Sequence, residues 1–301
     1  MLRIGIDLGG TKTEGIVMDD SGEILARERW PTPQVNGYHA ILTNIRDLVL
    51  ELERHTGARC RVGLGTPGAI STKTGLLKNS NTVCLNGQPV KQDLEKMLAR
   101  EIRIANDANC FALSEALDGA AQGGPVVFGV ILGTGVGGGI VVNGQLLEGT
   151  QHIAGEWGHN VLEPDGPPCY CGKRGCVETF LSGPGLARDY HAAGGDPSYD
   201  ARTIVEHAAQ GDALAEAAMQ RYLDRFGRAL SGVINILDPD AIVLGGGMSN
   251  SARLYMEGRA CVERHVFNDE LRTRILPNLH GDSSGVRGAA QLWTPGPREK
   301  Q

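Results

Sequence analysis

His159, Cys169, Cys171 and Cys176 stand close together in the chain, with glycines and prolines between them. One imidazole and three thiolates can close a tetrahedral zinc site. A full set of four protein ligands leaves no position for a reactive water, so such a metal would be structural. The plain alternative is a set of free buried cysteines. A nucleic-acid-binding zinc finger would need a basic recognition helix, and none follows. Glu156 and Glu178 bracket the cluster. With the His159 edge they present two carboxylates and an imidazole to the hydroxyls of a sugar; surface ion pairing is the plain reading of either glutamate.

Two glycine turns carry a different chemistry. The first, Asp7-Leu8-Gly9-Gly10-Thr11-Lys12, follows a short apolar run and precedes another alternating run from Glu14 to Met18. A Walker loop needs adjacent Gly-Lys and a following helix, so this is a hairpin turn instead. Gly9 and Gly10 let the backbone approach a phosphate chain, Thr11 and Lys12 add a hydroxyl and a cation, and Asp7 can hold hydrated Mg²⁺ beside them. An ordinary Gly-Gly hairpin is the plain alternative. The second turn, Gly133-Thr134-Gly135, begins a G-x-G-x-x-G pattern, but strand residues follow where a dinucleotide fold needs a helix. A second phosphate-holding hairpin fits better. Gly245-Gly246-Gly247, after a buried strand, offers a flat surface for an adenine or is a plain strand-to-helix loop. Asn106-Asp107 puts a carboxylate at a strand end and helix start, where it projects into a cleft or caps the helix.

The elements that must position these residues follow from periodicity and breakers. Strands are expected over 2–8, 13–18 and 24–30, the meander closing at Pro31 and Pro33. Helical spacing runs from Tyr38 to Arg54 through Ile41, Leu42, Ile45, Leu48, Val49 and Leu52. A strand over 61–64, a helix over 90–100, a strand over 102–105 and a helix over 108–116 come next. The pattern then restarts: a strand over 126–132, a glycine turn over 133–139, and a strand over 140–142. That echo of strand, Gly-Thr turn and strand suggests a duplicated motif. A long helix over 213–237, a strand over 241–244 and a helix from 284 complete the reading. It implies a small N-terminal α/β domain over 1–120 and a larger α/β domain over 121–283 carrying the cysteine loop. The terminal segment 284–301 would pack back on the first.

At 301 residues with a net charge of −6, the chain has room for two domains sharing a cleft and no basic run for nucleic acid. Glycine, at 43 residues, has about double its usual share. No apolar stretch approaches a membrane span, and no charged leader precedes one. Seven cysteines, an odd number, suit a reduced compartment with a metal site better than a disulfide framework. The expectation is a cytoplasmic protein without membrane or nucleic-acid partners.

Taken together, Asp7 to Lys12, Gly65 to Gly68, Asn106 to Asn109, Leu132 to Gly139, Gly155 to His159, the cysteine loop and Gly245 to Met248 resemble the ROK family of sugar kinases and repressors. The resemblance covers 2–292. It implies the actin-like ATPase (ribonuclease H-like) fold, with two α/β domains and a cleft between them. It implies that Asp107 is the catalytic base and that His159, Cys169, Cys171 and Cys176 bind zinc. Gly68, Asn81, Asn106, Glu156, His159 and Glu178 would line the sugar site around Asp107. ATP phosphates, with Mg²⁺, would lie at the Gly9–Lys12 and Gly133–Gly135 turns and adenosine near Gly245–Gly247. The family also suggests a homodimer.

Within the family, 85–89, 155–160, 169–173, 178–180 and 281–290 look like bacterial fructokinases of the mannofructokinase type. Residues 106–116 and 132–139 are as similar to N-acetylglucosamine kinases. Two departures stand out: Cys84 where fructokinases usually have Trp, and a shorter 159–169 stretch than in either group. The expected reaction is ATP-dependent phosphorylation of a hexose, D-fructose to fructose 6-phosphate, with N-acetylglucosamine or glucose as the alternative acceptor. A sugar-responsive repressor would carry a helix-turn-helix domain ahead of the glycine-rich strand, and a strand starting at residue 2 leaves no room for it. The strand after Gly139 counts against a NAD-dependent oxidoreductase.

Overall fold

A computed structural model describes residues 1–294. The Pro-Gly-Pro tail, and with it the end of the expected 284–301 segment, lies outside the described residues. In order, the chain forms β1 (Arg3–Leu8), β2 (Lys12–Met18), β3 (Ile24–Pro31), α1 (Tyr38–Thr56), β4 (Arg61–Thr66), β5 (Ala69–Ile70), β6 (Leu77–Lys78), α2 (Val90–Leu98), β7 (Ile102–Asn106) and α3 (Asp107–Leu117). There follow β8 (Val126–Leu132), β9 (Val136–Val142), β10 (Gln145–Leu146), α4 (Glu178–Leu181), α5 (Gly183–Ala192), α6 (Ala201–Ala209), α7 (Ala213–Leu237), β11 (Ala241–Gly245), α8 (Arg259–His265), β12 (Arg274–Pro277) and α9 (Ser284–Gln291).

The chain divides into two compact units. The first comprises Met1–Gln122, Gly139–Ala154 and the described residues from Leu279; the second comprises Gly123–Gly138 and Gly155–Asn278. The segment Gly139–Ala154, which the sequence-based division assigns to the larger domain, clusters with the first unit.

In the first unit the strands run β3-β2-β1-β4-β7. β1 pairs antiparallel with β2 and parallel with β4, and β4 pairs parallel with β7. Alternation along β1 decides what each face carries. Ile4, Ile6 and Leu8 pack with Ile41, Leu42, Ile45, Leu48, Val49 and Leu52 of α1. The opposite face meets α9, which sits so close that a Cβ on Gly5 or Gly63 would collide with its backbone carbonyls. Asp7 points to this second face, against Gly285 of α9. The strand's two-residue period thus turns Asp7 away from the face that carries Ile4, Ile6 and Leu8.

Helix α3 is tied to the segment entering α9 by Glu115, which is fully buried. Its carboxylate accepts from Ala120 N at 2.9 Å, Leu279 N at 3.1 Å, His280 N at 3.4 Å and Ser284 Oγ at 2.7 Å. Glu115→Ala leaves these donors unpaired in the interior, and a loss of about 2–4 kcal/mol is expected in denaturant unfolding. An unchanged midpoint would contradict this role.

In the second unit β8, β11 and β12 are parallel neighbours, with β11 in the middle. The strand expected to start at residue 140 starts at Val136, so 136–139 is sheet rather than turn. Helix α7 has the bounds expected from its spacing and buries Tyr222, Phe226, Leu230 and Ile234 along one face. Helices α5 and α6 were not expected. Each begins at a capping side chain: Ser182 Oγ accepts from Gly185 N, and Asp200 Oδ1 from Thr203 N.

Candidate functional site

In the first unit, Asp7, Gly9 to Lys12, Gly68, Asn106 and Asp107 come from the β1–β2 turn, the end of β4 and the β7–α3 junction. The Gly9 turn closes by Gly9 N donating to Lys12 O at 3.0 Å. Thr32 braces it from the side, its Oγ donating to Gly9 O at 2.8 Å and its N to Thr11 O at 3.0 Å. Thr11 and Lys12 are left exposed. Gly68 has φ +85°, and any Cβ there would strike Lys78 O. Only glycine satisfies both conditions. Asn81 is exposed on the loop after β6, which Asn86 staples by exchanging hydrogen bonds with Ser80 N and O, each at 2.8 Å.

The cap of α3 is Asn106, whose Oδ1 accepts from Asn109 N at 2.9 Å, leaving its amide nitrogen as the group able to donate. Asp107 is the first helical residue, with Oδ1 accepting from Ala108 N at 2.8 Å. Its side chain is open to solvent, yet it is surrounded by enough protein that desolvation raises its pKa; the Ala108 amide acts in the other direction. Accessible and harder to ionise than a free aspartate, this carboxylate is suited to taking a proton.

Asp7 is pushed up to about 7, first by burial and then by the charges of Asp107 and Glu14, with Lys12 opposing. Glu14 is already neutralised by Arg29 at 2.6 Å and Arg27 at 3.4 Å, which leaves Asp7 and Asp107 as the carboxylates suited to a divalent metal such as Mg²⁺. A carboxyl at about 7 in the fold, against 3.8 unfolded, binds more protons folded than unfolded. Its contribution to stability therefore falls as the pH rises from about 4 to about 7. Asp7→Asn removes that penalty. At pH 8 the variant should melt about 2–4 °C higher while losing activity. A lower melting temperature would show that Asp7 supports the fold.

In the second unit the ligand atoms of His159, Cys169, Cys171 and Cys176 all lie within 4.8 Å of one another. Cys169 Sγ is 3.6 Å from His159 Nδ1, and Cys171 Sγ is 3.6 Å from Cys176 Sγ. A tetrahedron with Zn–S bonds of about 2.3 Å has edges of about 3.8 Å, so the set fits zinc. The loop is held on both flanks. Val161 bridges to Cys176 and Pro168 to Arg174. Arg225 of α7 donates to Glu163 at 3.0 Å and to Asp189 of α5 at 2.7 Å, while its guanidinium lies over the Phe180 ring.

Glu178 follows the last cysteine closely and opens α4. Its Oε2 accepts from Val136 N at 3.0 Å, immediately after the Gly133–Gly135 turn. A Cβ on Gly135 would come within 2.6 Å of that oxygen. One carboxylate therefore belongs both to the cysteine loop's flank and to the glycine turn, a connection that spacing did not reveal. Gly133 N donates to Gly135 O at 3.0 Å and Gly183 N to Gly133 O at 2.8 Å. Gly246 and Gly247 are exposed at the end of β11, and Glu156 precedes the short helical turn Trp157–His159. Tyr170, absent from the expected set, has its hydroxyl 3.0 Å from His159 Nε2. Its place between two ligand cysteines was the only available signal.

Against known proteins, the ROK family model matches residues 3–295. An N-acetyl-D-glucosamine kinase of Yersinia pseudotuberculosis is 40% identical over 298 residues, covering 96% of this chain and 97% of the relative. The ROK hexokinase of Thermus thermophilus superposes with a TM-score of 0.87 at 32% identity, covering 96% of this chain and 97% of that one. A ROK-family glucokinase of Streptomyces griseus, solved with glucose and AMPPNP, gives a TM-score of 0.78 at 30% identity, covering 97% and 99%. With two mixed sheets, each built around a strand–glycine turn–strand unit, and similarity along nearly its whole length, the chain has the actin-like ATPase fold and belongs to the ROK family, among its sugar kinases.

Proposed function

We propose that the chain phosphorylates N-acetyl-D-glucosamine, transferring the γ-phosphoryl group of ATP to the sugar's 6-hydroxyl. The observation that carries this reading is 40% identity, over 96% of the chain, to a kinase of that sugar. The fructose expectation rests on short stretches such as 85–89 and 178–180, and full-length similarity outweighs them. Cys84, where fructokinases usually have Trp, is half-buried against the core of the first unit. A small side chain there is consistent with a substrate bulkier than fructose.

In this mechanism Asp107 accepts the proton of the attacking hydroxyl. Its raised pKa suits it to hold that proton. In a loose phosphoryl-transfer transition state the proton leaves late, so orientation of the hydroxyl by Asp107 matters as much as basicity. Asn106, through its free amide nitrogen, and Gly68, through a backbone kept bare, position the sugar. Glu156, Glu178 and the Nε2 edge of His159 hold further hydroxyls, and Asn81 contributes from its loop. The Gly9–Lys12 and Gly133–Gly135 turns hold the phosphate chain, and Gly245–Gly247 the adenosine. Asp7 would hold Mg²⁺, which when bound would neutralise phosphate charge. His159, Cys169, Cys171 and Cys176 would hold a structural zinc, which would fix His159 and the segment leading to Glu178.

The test is a coupled ADP-release assay with Mg-ATP against N-acetylglucosamine, fructose, mannose and glucose. The highest kcat/KM is expected for N-acetylglucosamine. A clear preference for fructose would restore the reading drawn from 85–89 and 178–180.

A further inference from the structure

Tyr170 is held in an unusual way for an exposed aromatic. Its side chain is 77% exposed, yet its ring stands edge-on to the His159 imidazole at 5.1 Å and 90°. Its hydroxyl lies 3.0 Å from Nε2. His159 turns Nδ1 toward Cys169 Sγ. With Nδ1 turned to the cysteine cluster, Nε2 is the ring nitrogen left to exchange a hydrogen bond with the Tyr170 oxygen.

A sugar hydroxyl bound at His159 would use that same nitrogen. We propose that Tyr170 is a substrate-displaced cap on His159: its hydroxyl occupies the hydrogen bond that the sugar takes over, so the side chain must swing aside as the sugar enters. The inference rests on the sugar-binding role of His159 proposed above. Movement is easy, because Tyr170 is exposed and the neighbouring cysteines anchor the backbone while the side chain rotates. The measured sugar affinity is then the intrinsic affinity reduced by the fraction of molecules in which Nε2 is uncovered.

Tyr170→Phe tests this directly, because it keeps the ring and deletes only the competing oxygen. The zinc-loaded proteins are titrated calorimetrically with N-acetyl-D-glucosamine, without nucleotide, and zinc content is measured in parallel. The expected result is binding about fivefold tighter in the variant, at unchanged zinc content, the size set by one exposed hydrogen bond. Unchanged affinity would overturn the proposal, since nothing would then be competing. Weaker binding would also overturn it, by making the hydroxyl a sugar ligand. A wild-type protein that neither binds nor phosphorylates the sugar would overturn the proposed function and this inference with it. Wild-type binding with no gain in the variant overturns this inference alone.

Discussion

Asp107→Asn should lower turnover about 10²–10⁴-fold while leaving sugar affinity and thermal stability close to wild type. The separation follows from where the residue sits. Its side chain is open to solvent, and the helix it begins is capped by Asn106 rather than by Asp107. The asparagine oxygen can still accept from Ala108 N, as Asp107 Oδ1 does at 2.8 Å. What the variant loses is a proton acceptor and one negative charge beside Asp7. Steady-state kinetics, sugar titration and a melting curve on the same preparation separate these effects. Near-normal turnover would remove Asp107 from the role of base, and a collapse in stability would make it a structural residue.

The second large effect is expected at the zinc loop. Cys171 is exposed and contributes little packing, so Cys171→Ser acts through the metal. Zinc content should fall, the melting temperature should drop on the order of 5 °C, and sugar affinity should weaken about tenfold. These losses should move together, because the loop that carries the ligands also sets His159 and leads into Glu178, whose carboxylate bonds to Val136 N. Cys84→Ser, outside the ligand cluster, should leave zinc content unchanged. Full zinc occupancy in Cys171→Ser would show the ligand set to be wrong.

What the sequence made legible was local. The buried face of α1 comprises the six apolar positions read from helical spacing, because one face of a helix is a repeating pattern. The clustering of His159, Cys169, Cys171 and Cys176 was legible because they lie near one another in the chain. Glycine-rich segments were misread: Val136 to Gly139 has the composition of a turn but forms the start of β9. There the glycines serve close packing, since a Cβ on Gly138 would meet Trp157 and Phe128 and one on Gly139 would meet Ala108 and Ala112. Helices α5 and α6 passed unnoticed because they are short and the first begins at Gly183-Pro184, although Pro near a helix start is a recognised signal. The Glu115 network pairs groups far apart in sequence, and no local pattern announces it. The choice of sugar was hardest to read: short stretches such as 85–89 pointed to fructose, whereas the similarity over nearly the whole chain is to N-acetylglucosamine kinases.

The most direct test of the account is transfer of labelled γ-phosphate from ATP to N-acetyl-D-glucosamine, with the product identified by mass spectrometry, for wild type and Asp107→Asn side by side. The account predicts one phosphate on the 6-hydroxyl of the sugar with wild type and almost none with the variant. Equal product from both proteins, or ATP hydrolysis with no phosphate transferred to any sugar, would contradict it.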